Sequence, residues 1–405
     1  MIKNNLNFFN NIQKKNLDSK SIKKFTKLFP KIFSKVFTDI NSSKKTINTL
    51  NKKFNFNFEF KDLEKFKSFK TIAIIGMGGS ILGSEAVSHF LKEKINKKIY
   101  FFNDLNIEKI QNFKKKKNLN KILFFVISKS GNTVETLSNF FTLKIIKKNS
   151  KNIIIISEKK NNLLYSLSKK FNLFYVEHKN YIGGRYSVLS EVGIVPAYLM
   201  GININKLRSG TLKSLKKKTQ LFLKDSTIML SSLLSFKKIN NLIFLNYCPE
   251  LEKFLFWCQQ LIAESLGKNG KGFLPTISNA PKDHHSLLQL YLDGPKNKLF
   301  YIFSHEESSK EKINIKEILK EKNFLNNKTL SSIKKAQKNA LIKTLKNKNI
   351  PFREFKIKNI NEEVLGELFS YFILETVIIG KLTNINPFDQ PAVEQVKIYT
   401  KDLLN

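Results

Sequence analysis

The chain has few of the residues that would announce a special chemistry. Its 405 residues include two cysteines, Cys248 and Cys258. Two cysteines build no disulfide framework, and no C-x-x-C or H-x-x-x-H spacing marks a metal site. Adjacent histidines at 284 and 285 would point about 100° apart on a helix, so they do not make a metal pair. No metal and no cofactor is expected. No run approaches the ~20 apolar residues of a membrane span. The first residues, MIKNNLNFFNNIQKK, lack the apolar stretch and small-residue cleavage site of a secretory leader. Arginine is scarce too: of 71 basic residues only Arg185, Arg208 and Arg353 are arginine. Nucleic-acid surfaces favour arginine for its bidentate fork. The net charge of +39 is carried by lysine spread along the whole chain, beside abundant Asn, Ile and Phe. Codons for all four are AT-rich, so codon bias accounts for the charge better than a nucleic-acid or membrane partner does. The expectation is a cytoplasmic protein without either partner, whose positive field can still draw anionic small molecules inward.

The apolar fraction, 41%, is enough for a large core, and the length fits two or three domains. Residues 1–65 read as a lysine-rich helical segment. From residue 71 strands and helices alternate: strands at 71–75, 98–102, 122–127 and 152–157, with helices at 81–92 and 136–147. After a helical linker at 205–238 the grammar repeats, with strands at 241–246, 299–304 and 352–357 and helices at 252–265, 330–346 and 362–380. A last helix spans 390–404. This is the pattern of α/β units with doubly wound parallel sheets. The boundaries read as 1–65, a first unit at 66–204, the linker 205–238, a second unit at 239–385 and a C-terminal helix at 386–405. In such sheets ligands sit outside the carboxyl ends of the strands.

The most informative segment is SKSGNTVET at 128–136, which follows an apolar strand and opens a helix. Unpaired N–H groups at a helix start, with the hydroxyls of Ser128, Ser130 and Thr133 and the ammonium of Lys129 beside them, form an anion pocket. Read alone, it is equally a serine-rich cap. GMGGS at 76–80 joins strand to helix with three glycines. It departs from G-x-G-x-x-G, and no acidic residue closes the next strand, which argues against a dinucleotide. GGRYS at 183–187 keeps an arginine, Arg185, where lysine serves almost everywhere; such a fork can steady a developing oxyanion. ESLGK at 264–268 sets Glu264 at the end of an apolar helix, a candidate base. DHHS at 283–286 offers Asp283 as a helix cap and a histidine as acid or base. In NPFDQPAVEQVK, Gln390, Glu394 and Lys397 share one helix face. Each motif has a bland structural reading as well.

Together, and in this order, GMGGS, SKSGNTVET, GGRYS, ESLGK, HHSLLQL and NPFDQPAVEQVK resemble the phosphoglucose isomerase family, built of two sugar-isomerase (SIS) domains. The resemblance spans about residues 70–400. It implies two doubly wound SIS domains with additional helices and a C-terminal helix. It also implies an aldose-ketose isomerase interconverting glucose 6-phosphate and fructose 6-phosphate, in glycolysis and gluconeogenesis, through ring opening and a cis-enediolate. Position by position, it implies that Ser128, Lys129, Ser130 and Thr133 hold the phosphate and that Gly79, Ser80 and Gln390 line the sugar. Glu264 is then the base, Arg185 the enediolate stabiliser, and His285 with Lys397 the ring-opening pair. In the family this histidine comes from the neighbouring subunit, which implies a homodimer with composite sites. Leu266, His284 and Pro391-Ala392 depart from the family's usual residues, but none is an assigned catalytic group. Two other readings are a broader isomerase that also takes mannose 6-phosphate and a non-catalytic SIS sugar-phosphate binder.

Overall fold

The computed structural model describes residues 6–404 apart from 237, 308–309 and 316–322. Among the described residues ten strands form two five-stranded sheets. The strands are β1 (Leu6–Asn11), β2 (Thr71–Ile75), β3 (Lys98–Phe102), β4 (Ile122–Ile127), β5 (Ile153–Ser157), β6 (Phe174–Glu177), β7 (Asn241–Asn246), β8 (Leu274–Asn279), β9 (Lys298–His305) and β10 (Phe352–Ile357). The first sheet, ordered β3-β2-β4-β5-β6, is wholly parallel. The second, β1-β10-β9-β7-β8, is parallel except for β1, which runs antiparallel to β10 from Leu6↔Ile357 to Asn11↔Phe352. The chain is therefore α/β with two doubly wound sheets, as its alternating apolar runs predict.

Strands covered on both faces need apolar side chains in both directions of the pleat. Strand β4, ILFFVI, is buried at every position. Its Leu123 and Phe125 join the large cluster between the sheets, while Phe124 and Val126 join a second cluster on the outer face. The second sheet has the same arrangement, with Ile243 and Leu245 outward and Leu242 and Phe244 inward. Through the shared core runs the helix Glu362–Leu382, buried along almost its whole length. That burial on every side explains its lack of a polar face.

Three strands escaped the periodicity reading. The segment 1–65 is not wholly helical, since β1 precedes the helix Ser19–Asn41; its first five residues lie outside the described ones. Strand β6 has only four residues, and β8 carries Pro275. Proline cannot donate to a ladder and is tolerated where a strand has one free side, and β8 is an edge. The C-terminal helix is Glu394–Asp402, entered through a tight turn at Pro391–Val393.

Candidate active site

The turns after β2 and β4 lie side by side at the carboxyl ends of neighbouring parallel strands. In the second turn, Ser128 Oγ shares a hydrogen bond of 2.8 Å with Thr133 Oγ1, and Ser130 Oγ is 3.5 Å from both. The Gly131 N–H donates to Ser128 O at 3.1 Å, closing the loop at φ +70°. A β-carbon there would stand 1.8 Å from Asn162 Oδ1, so only glycine fits. Thr133 precedes the helix Val134–Leu143 and spends no side-chain bond on capping it. The first N–H groups of a helix have no acceptor within it and favour an anion. Lys129 completes the rim, 3.7 Å from Glu158. Burial holds its ammonium below the ordinary lysine range, and Glu158 partly offsets this. The arrangement is an anion cradle with positive charge beside it.

The turn after β2 touches the GGRYS segment. A methyl at Gly79 would lie 2.2 Å from the carbonyl of Gly184, so glycine at 79 lets the two backbones meet. Ser187 Oγ donates to the Gly184 carbonyl at 2.7 Å and holds that contact. Ser80 belongs to the same turn, with its N–H on Met77 O at 3.1 Å. This close approach delivers Arg185, which is 1% exposed, to the end of the helix Glu252–Leu266. Its Nε donates to Ser265 Oγ at 2.8 Å. Its Nη1 donates to Glu264 Oε2 at 3.2 Å and Gln390 Oε1 at 2.6 Å. Its Nη2 donates to the carbonyls of Pro387 and Asp389 at 2.7 and 3.0 Å. A fully desolvated guanidinium needs every donor satisfied, and five acceptors meet it here. The other oxygen of Glu264 accepts from Gln260 Nε2 at 2.9 Å. The carboxylate is thus gripped at both oxygens, yet 32% of its side chain stays open to solvent. A fixed carboxylate beside a fixed cation, next to an anion cradle, can move a proton on a bound anionic substrate and steady the charge that develops.

Arg185, Glu264 and Gln390, far apart in sequence, meet directly. His285 and Lys397 do not join them in the single chain. His285 lies exposed on the turn Lys282–His285. Lys397 lies on the exposed C-terminal helix, 2.6 Å from Glu394. Asp283 is not a cap of the following helix, whose N-cap is Leu287. Its Oδ2 instead accepts from Asn279 N at 2.8 Å and Ser278 Oγ at 3.0 Å, tying the histidine turn to β8.

Three residues went unseen in the sequence reading. Gln260 orients Glu264, and the four-residue spacing on one helix was the available signal. Ser265 and Tyr186 carry none, because each acts through a buried contact. Tyr186 OH shares a hydrogen bond of 2.8 Å with Ser265 Oγ and donates to Pro387 O at 2.8 Å, backing the guanidinium. The segment bearing Gln390 is pinned from outside by Lys268, 2.6 Å from Asp389.

Comparison with known proteins places this geometry in context. The family described as phosphoglucose isomerase matches residues 31–405. The glucose-6-phosphate isomerase of Methanocaldococcus jannaschii is 33% identical over 350 residues, covering 83% of this chain and 85% of that protein. That of Campylobacter jejuni is 30% identical over 350 residues, covering 83% and 86%. Among solved structures, a hypothetical protein from Thermus thermophilus superposes with TM-score 0.81 at 21% identity, covering 98% of this chain and 100% of that one. A glucose-6-phosphate isomerase from Chlamydia trachomatis superposes with TM-score 0.77 at 15% identity, covering 99% and 88%. These two share the fold.

Proposed function

The chain belongs to the phosphoglucose isomerase family, and we propose from that premise that it interconverts glucose 6-phosphate and fructose 6-phosphate, with Glu264 as the base. The observation that carries this is the carboxylate held by Arg185 and Gln260 beside the Gly79 turn. In the proposed sequence the phosphate docks on Ser128, Lys129, Ser130 and Thr133, with Gly79, Ser80 and Gln390 along the sugar. That anchor is remote from C1 and C2, so its binding energy orients the reacting carbons. Ring opening delivers a proton to the ring oxygen and removes one from the anomeric hydroxyl, the task given to His285 and Lys397. Glu264 then takes the C2 proton of the open aldose and returns it to C1. Arg185 sits against Glu264, where it would meet the enediolate oxygen between those steps. No net redox change occurs and no external oxidant is needed: C1 is reduced as C2 is oxidised, with one proton passing from C2 to C1 and one from O2 to O1.

His285 belongs, in this reading, to the site of a second copy, making a homodimer with composite sites. Its exposure on the single chain supports this, as do the exposed Val396, Ile398 and Tyr399 of the C-terminal helix. No described helix is long and apolar enough to cross a membrane. A cytoplasmic place in glycolysis and gluconeogenesis is part of the same proposal. The broader isomerase and the non-catalytic binder are not favoured: the relatives bear the glucose-6-phosphate isomerase name, and a binder has no use for a clamped carboxylate. A coupled assay of glucose 6-phosphate formed from fructose 6-phosphate tests the reading. The purified protein is expected to turn over; inactivity of a folded dimer would refute it.

A further inference from the structure

The second sheet has its own point of reversal. From β7 the chain passes to β8 on one side and then to β9 on the other. A parallel sheet that reverses in this way opens a crevice at the carboxyl ends of its two central strands, and ligands bind there. In the first sheet the equivalent crevice, between β2 and β4, carries the Gly79 turn and the Ser128 cradle. In the second sheet a cavity of about 390 Å³ lies at the carboxyl end of β9, with Tyr247 from just past β7 on one side and Lys356 of β10 on the other, a size typical of small-molecule sites. Tyr247 at the end of β7 and Ser304 and His305 at the end of β9 line it, with Lys334, Lys335 and Lys338 from the helix Leu330–Asn347.

The lining is positive in balance, with Lys334, Lys335, Lys338 and Lys356 against Glu306 and Glu307. Lys338, 8% exposed, reaches Ser304 Oγ at 3.2 Å and Glu354 Oε1 at 2.9 Å. Lys334 is 2.5 Å from Glu307. Lys335 has no partner among the described residues. An ammonium offers three donors, so both paired lysines keep donors in reserve. Tyr247 connects this cavity to the histidine turn. Its ring packs edge-on against His284 with centroids 5.6 Å apart, and its hydroxyl shares a hydrogen bond of 2.7 Å with His284 Nε2. His285 is the next residue.

We propose that this crevice is a second anion site, taking the phosphate group of a small phosphomonoester or free phosphate, and that its occupancy repositions His285 through Tyr247 and His284. The coupling rests on the ring-opening role given to His285 above; the binding does not. The test is equilibrium dialysis of the whole protein against labelled inorganic phosphate. Two phosphates per chain are expected, one lost in Thr133→Val and the other in Lys334→Gln/Lys335→Gln, a surface pair that leaves the core untouched. A single phosphate per chain that survives in the lysine variant, or two retained there, would overturn the site. Glycerol 3-phosphate displacing label from the lysine-dependent site assigns it to phosphomonoesters; failure to displace assigns it to free phosphate. For the coupling, phosphate is added at saturating glucose 6-phosphate. A change in kcat of twofold or more is expected on cyclic substrate, absent on an open-chain analogue, and lost in Tyr247→Phe while both phosphates still bind. A purely competitive effect would overturn the coupling. A protein with two phosphate sites and no turnover would refute the isomerase reading and leave the site standing.

Discussion

Replacing Glu264 with glutamine separates chemistry from architecture more cleanly than any other change in this site. The two carboxylate oxygens accept from Gln260 Nε2 at 2.9 Å and Arg185 Nη1 at 3.2 Å. A glutamine of the same shape turns its carbonyl to the guanidinium and its amide to residue 260. Gln260 accommodates this by rotating its own amide half a turn, because its Oε1 is buried without a partner; the count of unpartnered atoms does not change. Arg185 loses a counter-charge but keeps Ser265, Gln390 and two carbonyls. The guanidinium is buried but keeps a hydrogen bond to the new amide carbonyl, and Glu264 is about a third exposed, so the fold should lose on the order of 1–2 kcal/mol. The reaction should lose far more. General-base catalysis contributes about 10²–10⁴-fold, or ~2.7–5.4 kcal/mol of barrier. Glu264→Gln is therefore expected to cut kcat by at least about a hundredfold and abolish exchange of the C2 proton with solvent. Calorimetric affinity for glucose 6-phosphate should stay within a few-fold. Turnover within tenfold of the parent, or unchanged C2 exchange, would remove Glu264 from the base role.

Mixing the Glu264→Gln and His285→Ala proteins should restore about a quarter of parental activity if each site takes its histidine from the partner, since half the dimers then hold one intact site. No recovery after subunit exchange would show that both residues serve one chain. Gly131→Ala forces a methyl onto Asn162 at a positive φ and should cost about 1–3 kcal/mol in urea unfolding while raising KM; a change in neither would mean the cradle is not closed there. His178 is 2% exposed, and burial pushes its pKa down to about 4 from 6.5. The folded value lies below the unfolded one, so protonation favours the unfolded chain. Stability is complete above about pH 6.5 and declines by roughly 3 kcal/mol toward pH 4. Urea midpoints of the parent and His178→Gln should therefore converge with acidification across that window; parallel curves would contradict the burial argument.

The sheets were legible because strands such as Ile122–Ile127 and Ile153–Ser157 are apolar on both faces and bounded by polar turns. The missed strands lack that contrast. In β1, LNFFNN, asparagines interrupt the pattern, and β8 begins Leu-Pro. The cradle was legible because its chemistry is local, with hydroxyls and glycine within six residues. The grip on Arg185 was only half legible. Arginine, glutamate and glutamine stood out as types, but Tyr186 and Ser265 gain their roles from packing. The distances among Arg185, His285 and Lys397 depend on packing between segments far apart in the sequence, and no motif carries that information.

The pairing of Leu6–Asn11 with Phe352–Ile357 has a consequence for how the protein is made. The first sheet, residues 71–177, can be completed while the ribosome is still translating the rest. The outer flank of β10 cannot, because among the described residues the strand that covers it is β1, which was synthesised more than three hundred residues earlier and must wait near the nascent molecule. Until it docks, that flank presents bare amide and carbonyl groups of the kind that recruit foreign strands. A leading tag or deletion that disturbs residues 6–11 would therefore show itself as precipitation during expression before it registered as a weaker enzyme.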